Sequence, residues 1–262
     1  IKFIMAYTTI NKSSEHFNTV LWNGDNADNR SITGVGFQPD FVWQKTRNQN
    51  YSHSVYDVIR GVTNRQVTND TAADQTYLDF KSFDSDGFTI DEDALHLNQT
   101  GDTNVAWNFK AGGTAVSNTD GNVNTTVSAN PTAGFSIISA NTGSTTGELT
   151  LGHGLNAVPS MFIWKNRDDA GQNWQVYHKS TGTGLMRLND NGAVNTAVTF
   201  WNTPTTTLFK MTDNMYAQNK NFIGYCFAEK KGFSKIGSYV GNGNADGTFV
   251  YTGFKPSWLM VK

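Results

Sequence analysis

Five acidic side chains between residues 84 and 93 are the densest grouping in this chain able to do chemistry. Asp84-Ser85-Asp86-Gly87 is followed, after Phe88-Thr89-Ile90, by Asp91-Glu92-Asp93. Alternating carboxylates before a glycine supply the oxygen ligands that calcium prefers, so Asp84, Asp86, Asp91 and Asp93 are the candidate metal ligands. The helix-loop-helix calcium motif needs a bidentate acid at its twelfth position, which from Asp84 falls on Leu95. That motif is therefore not met. The competing reading is a tight turn between strands, with Phe83 and Phe88 inward and the acids solvated. The matching stretch further on, Phe209-Lys210-Met211-Thr212-Asp213-Asn214, has no acid cluster, which favours the turn.

Catalytic groupings are scarcer. There is no G-x-S-x-G elbow to raise a nucleophilic serine. His53 precedes Asp57 by four residues, a spacing that makes a dyad only on a helix. His153 lies between glycines and reads as a turn residue, and His178 as a polar strand end. Glycoside cleavage needs two carboxyls facing one another across a cleft, and no pair separates itself from the turns. The lone Cys226 sits in an apolar run, where a buried inert thiol is expected rather than a nucleophile. These residues point to a non-enzymatic protein with no cofactor beyond the calcium considered above. Sugar binding has better material: aromatic rings stack on sugar faces while loop Asn and Asp bind hydroxyls. Trp22, Tyr51, Trp174 and Trp201 lie beside polar loops and are the candidate glycan contacts, against the alternative that they fill cores.

The elements that would position these residues are written in a repeat. Residues 22–45 and 239–262 align without a gap at a constant offset of 217, from Trp22 with Tyr239 to Lys45 with Lys262. A looser copy lies between them, in which Pro159, Trp164 and Lys165 take the places of Pro39, Trp43 and Lys45. Asn104–Lys110 is echoed by Phe222–Ala228. Repeats this long suit whole domains in tandem rather than solenoid units. The division expected is an N-terminal arm over 1–14, sandwich modules over 15–113 and 114–232, and a final segment over 233–262. That last segment either opens a third repeat or supplies exchanged strands, because Trp258–Val261 reads as an apolar strand that invites edge pairing if left bare. Met5 could be the true start.

Within a module, Phe17–Trp22, Arg30–Thr33 and Phe41–Lys45 read as strands, the last central and buried behind Pro39. A turn of helix is conceivable only at 55–66. Residues 114–132 read either as a flexible linker or as a hairpin around Asp120-Gly121, with the hairpin favoured. With 25 glycines, 13% aromatic residues and no sustained helical period, the chain should be all-β. Its net charge of −2 and charged content of 16% give no electrostatic case for nucleic acid or an anionic membrane. No stretch is long and apolar enough for a membrane-spanning helix, so no membrane insertion is expected.

The phrases GFQPDFVWQKTR, YDVIRG, FDSDGFT, NVAWNFKAGG, NWQVYH and YCFAEKKGFSKIGSYVGNGNADGTFVYTGFKPSWLMVK, in this order, resemble a family of tandem-repeat virion proteins. Its members are encoded by marine bacteriophages and prophages and described loosely as tail-fibre or structural proteins. The likeness runs from about Phe17 to Lys262. It implies tandem concanavalin-like (laminin-G-like) jelly-roll β-sandwiches on the virion surface, as a fibre, capsid decoration or baseplate appendage. It also implies self-association into a homo-oligomer, by default a trimer, together with other virion proteins and a host-surface glycan as partners. A carbohydrate-binding module and a polysaccharide-degrading tailspike are the alternatives.

Overall fold

In the computed structural model, which describes residues 7–91, 97–213 and 215–262, the chain is all-β with antiparallel sheets. The helical content among the described residues is one 3₁₀ turn at Ser13–Glu15. The first half contains β1 (Phe17–Asn23), β2 (Arg30–Thr33), β3 (Phe41–Thr46), β4 (Ser54–Asp57), β5 (Gly61–Val67), β6 (Gln75–Thr76), β7 (Phe80–Asp84), β8 (Gly87–Ile90) and β9 (Thr103–Phe109). The second half contains β10 (Val116–Asn118), β11 (Thr125–Asn130), β12 (Phe135–Asn141), β13 (Leu149–Gly152) and β14 (Met161–Asn166). It continues with β15 (Gln175–His178), β16 (Met186–Arg187), β17 (Trp201–Asn202), β18 (Leu208–Met211) and β19 (Asn221–Phe227).

The first half makes a large sheet in the order β1-β9-β3-β4-β5-β6 and a small one in the order β2-β8-β7. The second makes β10-β11-β12-β19-β14-β15-β16 and β13-β18-β17. From β1 and from β12 onward the two orders run in step. Registers agree as well: Phe41 faces Phe109 and Trp43 faces Trp107, while Met161 faces Phe227 and Ile163 faces Tyr225. That register corrects one alignment. Ile163, not Trp164, occupies the place of Trp43, and Trp164 stands where Gln44 does. A slip of one residue along a strand turns the side chain to the other face, so Trp164 serves a different core from Trp43. The stretch 55–66 is a second correction. Asp57 and Gly61 close a turn between paired strands β4 and β5, and no helical turn forms. Val116 pairs with Val127 across β10 and β11, as a hairpin requires.

Strand alternation divides the side chains among three cores. Val20, Val42, Tyr56 and Ala106 point from the first large sheet onto Ile32, Phe80 and Phe88 of the first small sheet. Ile138, Phe162, Trp164 and Phe222 do the same in the second half against Leu151, Trp201 and Phe209. Glycine at 224 belongs to this packing, because a Cβ there would lie 2.6 Å from the Phe162 ring and 2.9 Å from Trp164. The remaining faces of the two large sheets pack on each other. Phe41, Trp43 and Val55 meet Phe135, Met161, Ile163, Trp174, Val176 and Tyr225. This is why β3 and β14 read as nearly continuous apolar runs: both of their faces are buried. Four layers result, small, large, large and small.

The seam between the large sheets also encloses charge. Arg60 and Asp57 are fully buried and paired at 2.6 Å. The Tyr225 hydroxyl, from the other half, donates to Asp57 at 2.8 Å, and Arg60 also reaches the Val55 carbonyl and Asp74. Asp74 in turn accepts from Arg167 of the second half at 2.7 Å. Burial alone would lower the Arg60 pKa. Asp57, Tyr225 and Asp74 together reverse that and hold the guanidinium charged.

Lys165 is enclosed in the same region, with its Nζ donating to the Asn166 carbonyl at 2.8 Å. Burial lowers its pKa to about 8, only partly opposed by Asp74, Asp70 and Asp169. The folded value lies below the unfolded one, so between the two the unfolded chain binds the extra proton. Stability from this site is therefore lowest below pH 8 and recovers as pH rises towards the unfolded value. Lys165→Met should raise stability at pH 7 by about 2 kcal/mol, less than the full shift at ~1.4 kcal/mol per unit because one hydrogen bond is lost. Urea unfolding at pH 7 and 9.5 checks this, since the gain must shrink at the higher pH.

The last segment departs from expectation. No strand forms between residues 228 and 262. Trp258 instead lies against Phe17, Trp107 and Phe109, at ring separations of 5.8, 6.4 and 5.9 Å. Met260 packs on the seam, and Lys262 reaches Asp190.

Candidate functional site

Three of the four aromatics read as glycan contacts are in the interior, and this corrects their assignment. Trp22 is buried edge-on to Phe88, with its indole N–H donating to the Leu97 carbonyl at 2.8 Å. Trp174 lies in the seam, stacked on Tyr225, and donates to Val67 at 2.8 Å. Trp201 packs on Phe209 and donates to Val176 at 3.1 Å. Each ring has its polar atom satisfied inside and no face left for a sugar. Proximity to a polar loop in sequence does not fix depth in the fold. Tyr51 differs: it is half-exposed on the loop between β3 and β4, with its hydroxyl donating to Gln99 at 2.9 Å.

The acids do not converge on one point. Asp84 accepts from Ser82 and Thr89, both at 2.7 Å. Asp86 accepts from the backbone N–H groups of Gly34 at 3.1 Å and Gly36 at 2.5 Å. Gly36 has φ of 84°, a left-handed conformation that lets the loop present its amide to that carboxylate. Asp91 is paired with Lys81. Asp93 lies outside the described residues. Among those described, no three metal-binding side chains group together, and the turn reading accounts for Asp84 and Asp86. The His53–Asp57 pairing also fails. His53 Nδ1 accepts from the Trp43 indole at 3.0 Å, whereas Asp57 is committed to Arg60 and Tyr225. Cys226 is buried, and burial pushes its thiol pKa up, away from reactivity.

At the end of the second half, the β14–β15 loop and the segment leading into β19 form a groove of about 360 Å³. Asn166, Gln172, Asn173 and Gln175 line it together with Phe200, Met215, Tyr216, Ala217 and Phe222. Asn166 is a brace for the loop, its Oδ1 accepting from the backbone of Asp168 and Asp169 at 2.8 and 3.0 Å. Asn173 is held by Asn189 at 2.9 Å. The Tyr216 hydroxyl reaches the carbonyls of Thr145 and Gly147, which fixes its ring. Gln172 and Gln175 are the amides available to a ligand. An amide both donates and accepts, as a sugar hydroxyl does, and the lining carries no charge. Tyr51 sits on the corresponding β3–β4 loop of the first half. Sequence reasoning chose Trp174 and missed its neighbours, yet the alternation that buries Trp174 in the seam turns Gln175 towards the groove.

A family model described as Domain of unknown function (DUF7483) matches residues 12–262. No curated protein and no solved structure matches the chain.

Proposed function

We propose that this chain, which belongs to the DUF7483 family, is a non-enzymatic structural protein of a bacteriophage particle. Its two halves are read as tandem concanavalin-like jelly-roll sandwiches, serving as a fibre, capsid-surface decoration or baseplate appendage in assembly and host attachment. One observation carries the reading. Two sheets of the same strand order are packed face to face and clasped by a buried Asp57–Arg60–Tyr225 cluster. Such a join makes a rigid block that transmits load without a hinge, which suits an appendage better than an enzyme that must open and close. The repeated phrases of the sequence support the same reading. Its test is direct: peptides of this chain should be found in purified particles, with antibody label on their surface. Confinement of the chain to the soluble fraction of lysed host cells would overturn it.

The groove favours a second, compatible reading as a carbohydrate-binding surface. Its lining has amides and aromatics but no carboxylate pair, so it suits holding a neutral sugar rather than cleaving one. Gln175→Ala should lower binding to a glycan array or to host cells by about tenfold or more, roughly one or two lost hydrogen bonds, without changing the melt. An array on which the unaltered chain binds nothing would refute the groove while leaving the location on the particle untouched.

A further inference from the structure

The groove at the end of the second half has a floor that the fold itself does not dictate. Registers set Phe222 opposite Asn166 as they set Asn104 opposite Thr46, and Trp164 takes the place on β14 that Gln44 takes on β3. In the first half these positions form a polar network, in which Asn104 Oδ1 accepts from Gln44 at 3.2 Å and from Thr46 at 2.8 Å. In the second half Phe222 lies parallel to Trp164 at 4.8 Å instead. The same sheet position accepts either filling, and the groove stands over the apolar one. Burial gives its depth. Phe200 and Phe222 are 4% and 3% exposed and make the floor, Met215 and Gln175 are half-buried, and Ala217 and Gln172 are exposed at the rim.

We infer that this groove takes an N-acetylated hexosamine, with the acetamido methyl on the apolar floor. The inference rests on the reading of the groove as a carbohydrate surface and names the class of sugar. A plain hexose carries hydroxyls around its edges, and pressing one against Phe200 or Met215 leaves it without a hydrogen-bond partner, at a cost. An acetamido group ends in a methyl, which that floor accepts. Its N–H and C=O point in opposite directions across a trans amide, so one side chain does not satisfy both. Two are needed, one accepting and one donating, and Gln172 and Gln175 are the two amides that the lining leaves available. The lining holds no charged side chain, which disfavours an acidic sugar and equally an amino sugar without its acetyl group. At about 360 Å³ the groove is near the small end of ligand pockets, so the substituents of one terminal sugar set the specificity.

The test uses the whole chain on an array of glycans printed in pairs, identical except that one member carries an acetamido group where the other carries a hydroxyl. The acetamido member should bind about tenfold or more tightly, the effect of one methyl in an apolar pocket together with its amide hydrogen bonds. With N-acetylglucosamine in solution, saturation-transfer NMR should show the acetyl methyl, rather than the ring protons, as the group closest to the protein. Gln172→Ala alters an exposed side chain, so the melt should hold, and it should weaken the acetamido member more than its hydroxyl partner. Equal binding of the two members, or saturation strongest at the ring protons, overturns the inference and leaves the carbohydrate reading standing. Binding to no member of any pair removes the carbohydrate reading itself, and this inference with it.

Discussion

Asp57→Ala should destabilise the protein by about 3–5 kcal/mol, the range for breaking a buried ion pair from one side. The magnitude follows from what the carboxylate leaves behind. Arg60 is fully enclosed, and without Asp57 its charge keeps two carbonyls, the Tyr225 hydroxyl at 3.3 Å and the single carboxylate of Asp74, at 3.4 Å. The Tyr225 hydroxyl loses its acceptor at the same time. Two backbone N–H groups, of Ile59 and Arg60, also lose the carboxylate that caps the β4–β5 turn. Because Tyr225 belongs to the other half, the damage reaches the joint as well as the first sandwich. Unfolding in urea should therefore lose cooperativity, with the halves melting at separate midpoints. The double variant Asp57→Leu/Arg60→Met removes both charges together and should recover much of the loss, since a buried pair replaced by apolar groups is often neutral. If the single variant melts like the unaltered chain, the cluster does not clasp the halves.

Much of this architecture was legible in the sequence because strand alternation and turn residues are local signals. The runs at 41–45 and 161–165 announced central strands, and Gly-rich turns announced their ends. What could not be read was which face of a strand meets which neighbour. Trp43 and Trp164 look equivalent beside their lysines, yet they lie one position apart in register and serve different cores. The Asp57–Arg60 pair was hidden for a related reason. Its partner Tyr225 is 168 residues away in the chain, and nothing local marks the three as neighbours. The counterpart of Asp57 in the second half is His178, so the repeat carries no echo of the cluster. The sugar candidates failed because depth is set by packing partners far away in the chain. Trp22 and Trp201 lie in the cores between a large sheet and its small one, and Trp174 lies where the two large sheets cover each other.

Register also sets the second large effect, which separates two tryptophans that the repeat makes look alike. Trp164 is fully enclosed, with its ring parallel to Phe222 at 4.8 Å and close to Phe162 at 5.5 Å. Trp164→Ala should cost about 3–5 kcal/mol, because the gap is walled by strands that cannot collapse into it. Trp164→Phe should cost far less, about 1 kcal/mol or under. Its indole N–H is buried without a hydrogen-bond partner among the described residues, so removing that group relieves a penalty while most of the ring contact stays. Trp107, by contrast, is only partly buried, between Trp43, His53 and Trp258. Trp107→Ala should accordingly cost about 1–2 kcal/mol, nearer the middle of the range for point substitutions. It should also loosen residues 258–260, whose exchange would quicken before the global melt, whereas Trp164→Ala should leave that segment's local opening unchanged. Chemical unfolding of the three variants separates the cases. A Trp107→Ala loss as large as that of Trp164→Ala would mean that the faces of β9 and β14 have been assigned to the wrong cores.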